Sequence, residues 1–275
     1  MRNIMLAMLL SLLCLVASPS LAHASDVLTG SGCSVSVPGY LADLAKEYEK
    51  ETGVKVFVRG GGSILGLNDL HEKRVDFAAS CQSRRPGDPV DFEFIPVAWD
   101  ALVFIVNPTN PVNAISYADV RNIYEGRVTN WKQLGGPDLE IKSFISTPEG
   151  MGGIGESLEK MILEGKRPQA QSNSSLQASS VAIWEQLVEK TPGGFASTGF
   201  ASARKRLVKM LKVNGVMPTK ESIIAGHYRL KRPLYLVIKK DARPEVRKFI
   251  DFVLSKKGQK FISDYGIPSL ADIKK

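Results

Sequence analysis

The sequence predicts an α/β fold in which mostly parallel sheets are flanked by helices and the chain is divided between two lobes. Three observations carry this. Short apolar segments of strand length alternate with segments of helical period between residues 26 and 81. Two further apolar runs, Ala101–Val106 and Leu234–Ile238, have the unbroken pattern of strands buried on both faces. These two runs stand far apart in the chain and bracket a middle segment, as two crossings between lobes would.

The N-terminal stretch comes first. Arg2 is followed by an apolar run from Ile4 to Val16, and Ala22-His23-Ala24 places small residues where a signal peptidase reads. The apolar core is short for a membrane span, so residues 1–24 are expected to be a signal peptide cleaved after Ala24, giving a periplasmic chain. No other apolar run approaches the roughly 18 residues of a spanning helix, and no stable membrane insertion is expected. Cys14 leaves with the signal, and Cys33 and Cys81 enter an oxidising compartment.

Asp26–Leu28 reads as a strand ending in the loop Thr29-Gly30-Ser31-Gly32-Cys33-Ser34. Pro38 opens a helix whose buried face is Leu41, Leu44, Ala45 and Tyr48. Val54–Val58 is a strand, Gly60-Gly61-Gly62-Ser63 a glycine-rich loop, and a helix runs on through Leu70. Strand Val75–Ala79 then ends at Ser80-Cys81. In open α/β sheets ligands bind beyond the carboxyl ends of strands, where all three of these loops fall. Farther on, helices are expected at 116–124 and 155–164, a strand at Ile141–Ile145, and one long helix over Glu245–Asp264.

Charge narrows the function. Lys and Arg number 36 against 28 Asp and Glu, a net +8, yet the longest basic run is Arg204-Lys205-Arg206. So dispersed an excess is a background field that favours anions; it is not a nucleic-acid interface. No CxxC or HExxH spacing occurs, and His71 and His227 stand too far apart for a ligand motif, so no metal centre and no cofactor are expected. Trp99, Trp131 and Trp184 read as core packing, and Asp100 as a group that caps or pairs locally.

Four phrases give a more specific reading. They are the Gly-rich first loop before a Pro-started helix, the GGGS loop followed by Asp76–Ser80 (DFAAS), Ile123–Asp138 (IYEGRVTNWKQLGGPD), and the pair Val213–Lys239 and Phe249–Ile262. In this order and spacing the chain resembles the periplasmic phosphate-binding proteins of ABC transporters. The resemblance implies a type II periplasmic binding protein fold. One lobe would comprise residues 25–100 plus 235–275 and the other 101–234, with hinge strands near 98–106 and 233–239. It also implies a small inorganic oxyanion, phosphate or arsenate, as ligand, an ABC permease or a membrane sensor kinase as partner, a monomeric state and no enzymatic activity.

The resemblance places the ligand site on named positions. Ser31, Gly32, Cys33 and Ser34 stand in the first loop, Ser63 in the second, and backbone amides of Gly150, Met151, Gly152 and Gly153 at a later helix start. Where the family keeps an aspartate this chain has Cys81, and where it keeps an arginine it has Thr147. Arg84, or Arg85 beside it, is a candidate replacement for the lost charge. The two thiols, Cys33 and Cys81, are open to two readings. One is a disulfide tying the loops together. The other is a soft-ligand site for arsenite or a thiophilic metal, feeding a sensor. A cysteine-dependent enzyme is the remote alternative, since no motif positions a histidine to activate either thiol.

Overall fold

The computed structural model describes residues 27–146, 152–168, 175–178 and 180–273, so the expected signal peptide and Thr147–Met151 lie outside the described residues. The chain first forms β1 (Leu28–Gly32), a π-helical turn (Val37–Leu41) continuing as α1 (Ala42–Thr52), β2 (Val56–Gly60), α2 (Ser63–His71), β3 (Phe77–Ser80) and β4 (Phe92–Val106). Then come β5 (Ala114–Ile115), α3 (Tyr117–Tyr124), a 3-10 turn (Trp131–Leu134), β6 (Lys142–Ser146), α4 (Gly153–Met161), β7 (Ser175–Ala178), α5 (Val181–Lys190), β8 (Gly194–Gly199) and α6 (Phe200–Ala203). Last are β9 (Lys209–Met210), β10 (Lys212–Val213), α7 (Lys220–Ile224), β11 (Lys231–Lys239), α8 (Pro244–Leu254) and α9 (Lys256–Asp264).

The main sheet has the order β2-β1-β3-β11-β4-β8-β6-β7, with β9 also on β4. Pairing is parallel on both flanks and antiparallel wherever β4 or β11 takes part, so the α/β sheet is mixed. The 15-residue β4 explains this. It pairs with β11 from Phe92 to Ala101 and with β8 from Leu102 to Val106, changing partners between Ala101 and Leu102. Its last six residues are all buried, matching their unbroken apolar sequence, and each large side chain there contributes roughly 1.5–3 kcal/mol by leaving water.

The structure corrects several boundaries. Thr29–Gly32 is strand, because both β2 and β3 take it up as a partner. The expected long C-terminal helix is two helices. Ser255 adopts an extended conformation, ends α8, and caps α9 by accepting a hydrogen bond from the Gly258 N–H. Strand β8 (GFASTG) is buried throughout but small and featureless in sequence, so periodicity gave no sign of it. Among the described residues no helix is long and apolar enough to cross a membrane.

Candidate functional site

Among the described residues, the starts of four helical segments meet around one small cavity of about 20 Å³. Ser34 and Val35 precede the π-helical turn, Gly62 and Ser63 open α2, Gly152, Gly153 and Ile154 open α4, and Val181 and Trp184 lie on the first turn of α5. The N-cap positions, Ser36, Gly62, Gly152 and Ser180, make no side-chain capping bond. The first N–H groups of a helix have no partner within it, and the aligned peptide dipoles leave partial positive charge there. A small anion is the ligand that such a convergence accepts.

Close approach makes the arrangement tight. A Cβ on Gly153 would lie 2.3 Å from the Cys81 carbonyl oxygen and 2.5 Å from its Sγ, so α4 reaches Cys81 only because residue 153 is glycine. The indole N–H of Trp184, on a side chain 2% exposed, has no hydrogen-bond partner among the described residues. A buried donor left unpaired costs about 1–3 kcal/mol.

Cys81 projects from the end of β3. Its backbone N–H donates to Ser63 Oγ at 3.0 Å, and the same hydroxyl lies 3.5 Å from Cys81 Sγ. Cys33 lies behind it, fully buried, with Sγ accepting from the Ser36 N–H at 3.5 Å. Both cysteines are free thiols in this structure, at the ends of the neighbouring strands β1 and β3, where the Cys33 N–H donates to the Ala79 carbonyl at 2.8 Å. The Cys33 S–H donates to Cys81 and outweighs burial; the Arg232 charge and the Ser63 hydroxyl add to it, and the Cys81 thiol is lowered to about 6. Burial, and the neighbouring Cys81, push the Cys33 thiol well above its ordinary value.

Beneath the thiols lies an ion pair. Arg232 on β11 stands directly opposite Asp100 on β4, and its Nε and Nη2 donate to Asp100 Oδ2 at 3.1 and 2.8 Å. Arg232 Nη1 reaches the Cys81 carbonyl at 3.5 Å and Ser157 Oγ at 3.4 Å, while Asp100 Oδ1 accepts from the Ala201 N–H at the start of α6. Both side chains are buried, so each is the counter-charge that makes the other tolerable. Asp100 thus pairs with a residue 132 positions away and not locally. Arg232 went unnoticed in the sequence, although an arginine inside an apolar strand phrase signals a buried partner.

The expected site residues divide accordingly. Ser34, Ser63, Cys81, Gly152 and Gly153 line the cavity, and Cys33 backs it. Ser31 is turned beneath the loop, where its hydroxyl donates to buried Asp69 at 2.6 Å. Gly32 is taken up in the sheet between β2 and β3. Arg84 is corrected outright: it is exposed, donates to the Pro89 and Phe92 carbonyls, and lies 5.6 Å over the Phe94 ring. Neighbouring carbonyls and an aromatic face satisfy its guanidinium where it is. Gly150 and Met151 lie outside the described residues. Val35, Ile154, Val181 and Trp184, which form the apolar wall, were not anticipated as site residues. A larger open groove of about 840 Å³ runs past Tyr117, Asn214, Met217 and Arg229, but the helix that starts there, α7, is closed by its own capping box of Thr219 and Ser222.

Comparison with known proteins gives concordant results. The family model of the PBP superfamily domain matches residues 17–257. The phosphate-binding protein PstS of Bacillus subtilis is 28% identical over 255 residues, spanning 91% of this chain and 83% of that protein. PstS of Borreliella burgdorferi is 29% identical over 253 residues, spanning 88% and 90%. Among solved structures, a putative phosphate ABC transporter substrate-binding protein from Clostridium perfringens with bound phosphate superposes with a TM-score of 0.79 at 22% identity, covering 89% of this chain and 100% of that one. An ABC-type phosphate transport receptor from Vibrio cholerae gives 0.67 at 26% identity with the same coverage.

Proposed function

The chain belongs to the PBP superfamily, and we propose that it is an exported solute-binding protein that captures a small inorganic oxyanion, phosphate or its shape-mimic arsenate. The observation that carries this is the meeting of helix starts without side-chain caps at one small cavity, lined also by Trp184, whose indole N–H has no partner among the described residues. The phosphate-binding names of its relatives point the same way. The dispersed positive charge of the surface adds a weak attraction for anions.

The division of labour inside the site differs from the family pattern. The charge of Arg232 is engaged by Asp100 and Cys81, so backbone amides and the Ser34 and Ser63 hydroxyls do most of the holding. Among the described residues no histidine or carboxylate lines the cavity beside Cys81. In this reading residues 25–100 plus 235–275 and residues 101–234 are two lobes that close on the ligand, with Gly153 seated against Cys81 in the closed state. The partner exchange of β4 after Ala101 supports a crossing there. The loaded protein would then dock on an ABC permease or a membrane sensor kinase, as a monomer in the periplasm after removal of residues 1–24.

Calorimetry on the reduced protein with phosphate, arsenate, sulfate and molybdate tests the proposal. Saturable binding of phosphate and arsenate is expected. Absence of binding by every one of these anions would overturn it.

A further inference from the structure

We infer that Lys205 is a positioning residue, a latch that holds the two lobes in the arrangement that encloses the cavity. The inference rests on the two-lobe reading above and concerns how the site is kept closed, whichever anion it takes. Lys205 belongs to Arg204-Lys205-Arg206, the longest basic run of the chain, which follows α6 directly. The side chains of this run part company. Arg206 stays within residues 101–234, where its Nε donates to Glu185 Oε2 on α5 at 3.2 Å. That carboxylate is buried and also accepts from the Thr198 and Ser202 hydroxyls, so the end of α6 is fastened to α5 and β8.

Lys205 turns the other way. Its ammonium donates to the Tyr265 hydroxyl, at the end of α9, at 2.9 Å and to Asp43 Oδ2 on α1 at 3.2 Å. Tyr265 donates to the same Asp43 oxygen, so three side chains close a ring of hydrogen bonds. The ammonium lies 4.3 Å from the centre of the Tyr265 ring, and the Arg204 guanidinium lies 5.9 Å from it. Phe261, one turn back on α9, stacks on Tyr265 at 5.3 Å and holds the ring in place. Hydrogen bonds from Tyr265 and Lys46 keep the Asp43 carboxyl well below the usual carboxylate range, so it is charged at neutral pH. Lys205 and Asp43 are both partly buried, which shields their attraction from solvent and salt.

Asp43 and Tyr265 fall in residues 25–100 plus 235–275, and Lys205 in residues 101–234. The strands that cross between these parts are β4 and β11, and the ring lies on neither, so a rotation of one lobe against the other must break or remake it. Here it is made while Gly153 is seated against Cys81. Helix α6 joins the two places. Its Ala201 N–H donates to Asp100 Oδ1 at 2.8 Å, Asp100 holds Arg232, and Arg232 reaches the Cys81 carbonyl. A latch and a ligand that both favour one arrangement reinforce each other.

The test measures phosphate release by stopped flow and phosphate affinity by calorimetry on the full exported chain, together with the radius of gyration of the ligand-free protein by small-angle X-ray scattering. In Lys205→Ala, release should be about three- to ten-fold faster, with affinity weakened by a similar factor, from loss of one shielded ion pair and one cation–π contact. The ligand-free variant should also be more open than the wild type. Lys205→Arg should restore all three readouts. Lys132→Ala, which removes an ion pair to Asp138 inside one lobe, should change none of them. Thermal unfolding verifies that each variant is folded. Wild-type release and radius in Lys205→Ala, no rescue by Lys205→Arg, or an equal effect of Lys132→Ala would overturn the latch. Were the wild type to bind no phosphate, the oxyanion reading alone would fall, and the ligand-free radius would decide the latch by itself.

Discussion

Helices that meet at the cavity and helices that do not reach it begin in opposite ways. Away from the cavity, α3 starts with a capping box of Ser116 and Asp119, the 3-10 turn with Asn130 and Gln133, α7 with Thr219 and Ser222, and α9 with Ser255 accepting from Gly258. Even α6, whose N-cap is Gly199, has its Ala201 N–H taken by Asp100. At the cavity, the π-helical turn, α2, α4 and α5 carry no side-chain cap. The exception away from the cavity is α8, which lacks a side-chain cap but has Pro244 in its first turn, where a missing N–H leaves nothing to satisfy. A cap stabilises a helix by about 1 kcal/mol. Of the cavity helices, α2, α4 and α5 forgo that, and their first N–H groups are what a ligand can complete, whereas in the π-helical turn the Ser36 and Val37 N–H groups are taken by Cys33 and Pro38 has none. The contrast separates residues kept for the fold from residues kept for binding.

The sharpest way to break this contrast is at the floor of the site. Arg232→Met leaves Asp100 buried without its counter-charge, and urea unfolding should show a loss of roughly 3–5 kcal/mol. A loss no larger than that of a surface pair, about 1 kcal/mol or less, would mean that the pair is not the buried support described. Next comes Gly153→Ala. The new methyl group would overlap Cys81, so α4 must withdraw, and calorimetry should show phosphate affinity at least about ten-fold weaker, or ~1.4 kcal/mol. Wild-type affinity in that variant would detach α4 from the ligand. The smallest effect is expected from Thr219→Ala, which removes a cap remote from the cavity: about 1 kcal/mol of stability in thermal unfolding, with ligand affinity unchanged. Weakened binding there would erase the distinction between the two groups of helices.

Legibility in the sequence follows the range of the interactions. The loops ending in Ser34, Ser63 and Cys81 were readable because each joins a strand to a helix within a few residues, and that connection fixes where the loop points. Arg84 misled because adjacency to Cys81 says nothing about direction; its side chain turned to the Pro89 carbonyl of its own loop and the Phe92 carbonyl at the start of β4. Asp100 and Arg232 were unreadable as a pair because only the antiparallel register of β4 and β11 sets them face to face. Trp184 is similar. On α5 it has the spacing of a core residue, and only the packing of that helix beside α2 and α4 makes it a cavity wall.

Local chemistry alone determined that this chain is an α/β protein, that its Gly- and Ser-rich loops fall at strand ends, and that only two cysteines, Cys33 and Cys81, follow the signal-like stretch. Such properties need no more than periodicity, turn chemistry and residue type. Tertiary structure decided which helix starts share one cavity, which charges neutralise each other beneath it, and that the two cysteines end neighbouring strands. The physical reason is that desolvation and Coulomb interaction depend on distance through space, and distance between residues 48 or 132 positions apart is set by sheet order and register, which no local pattern encodes.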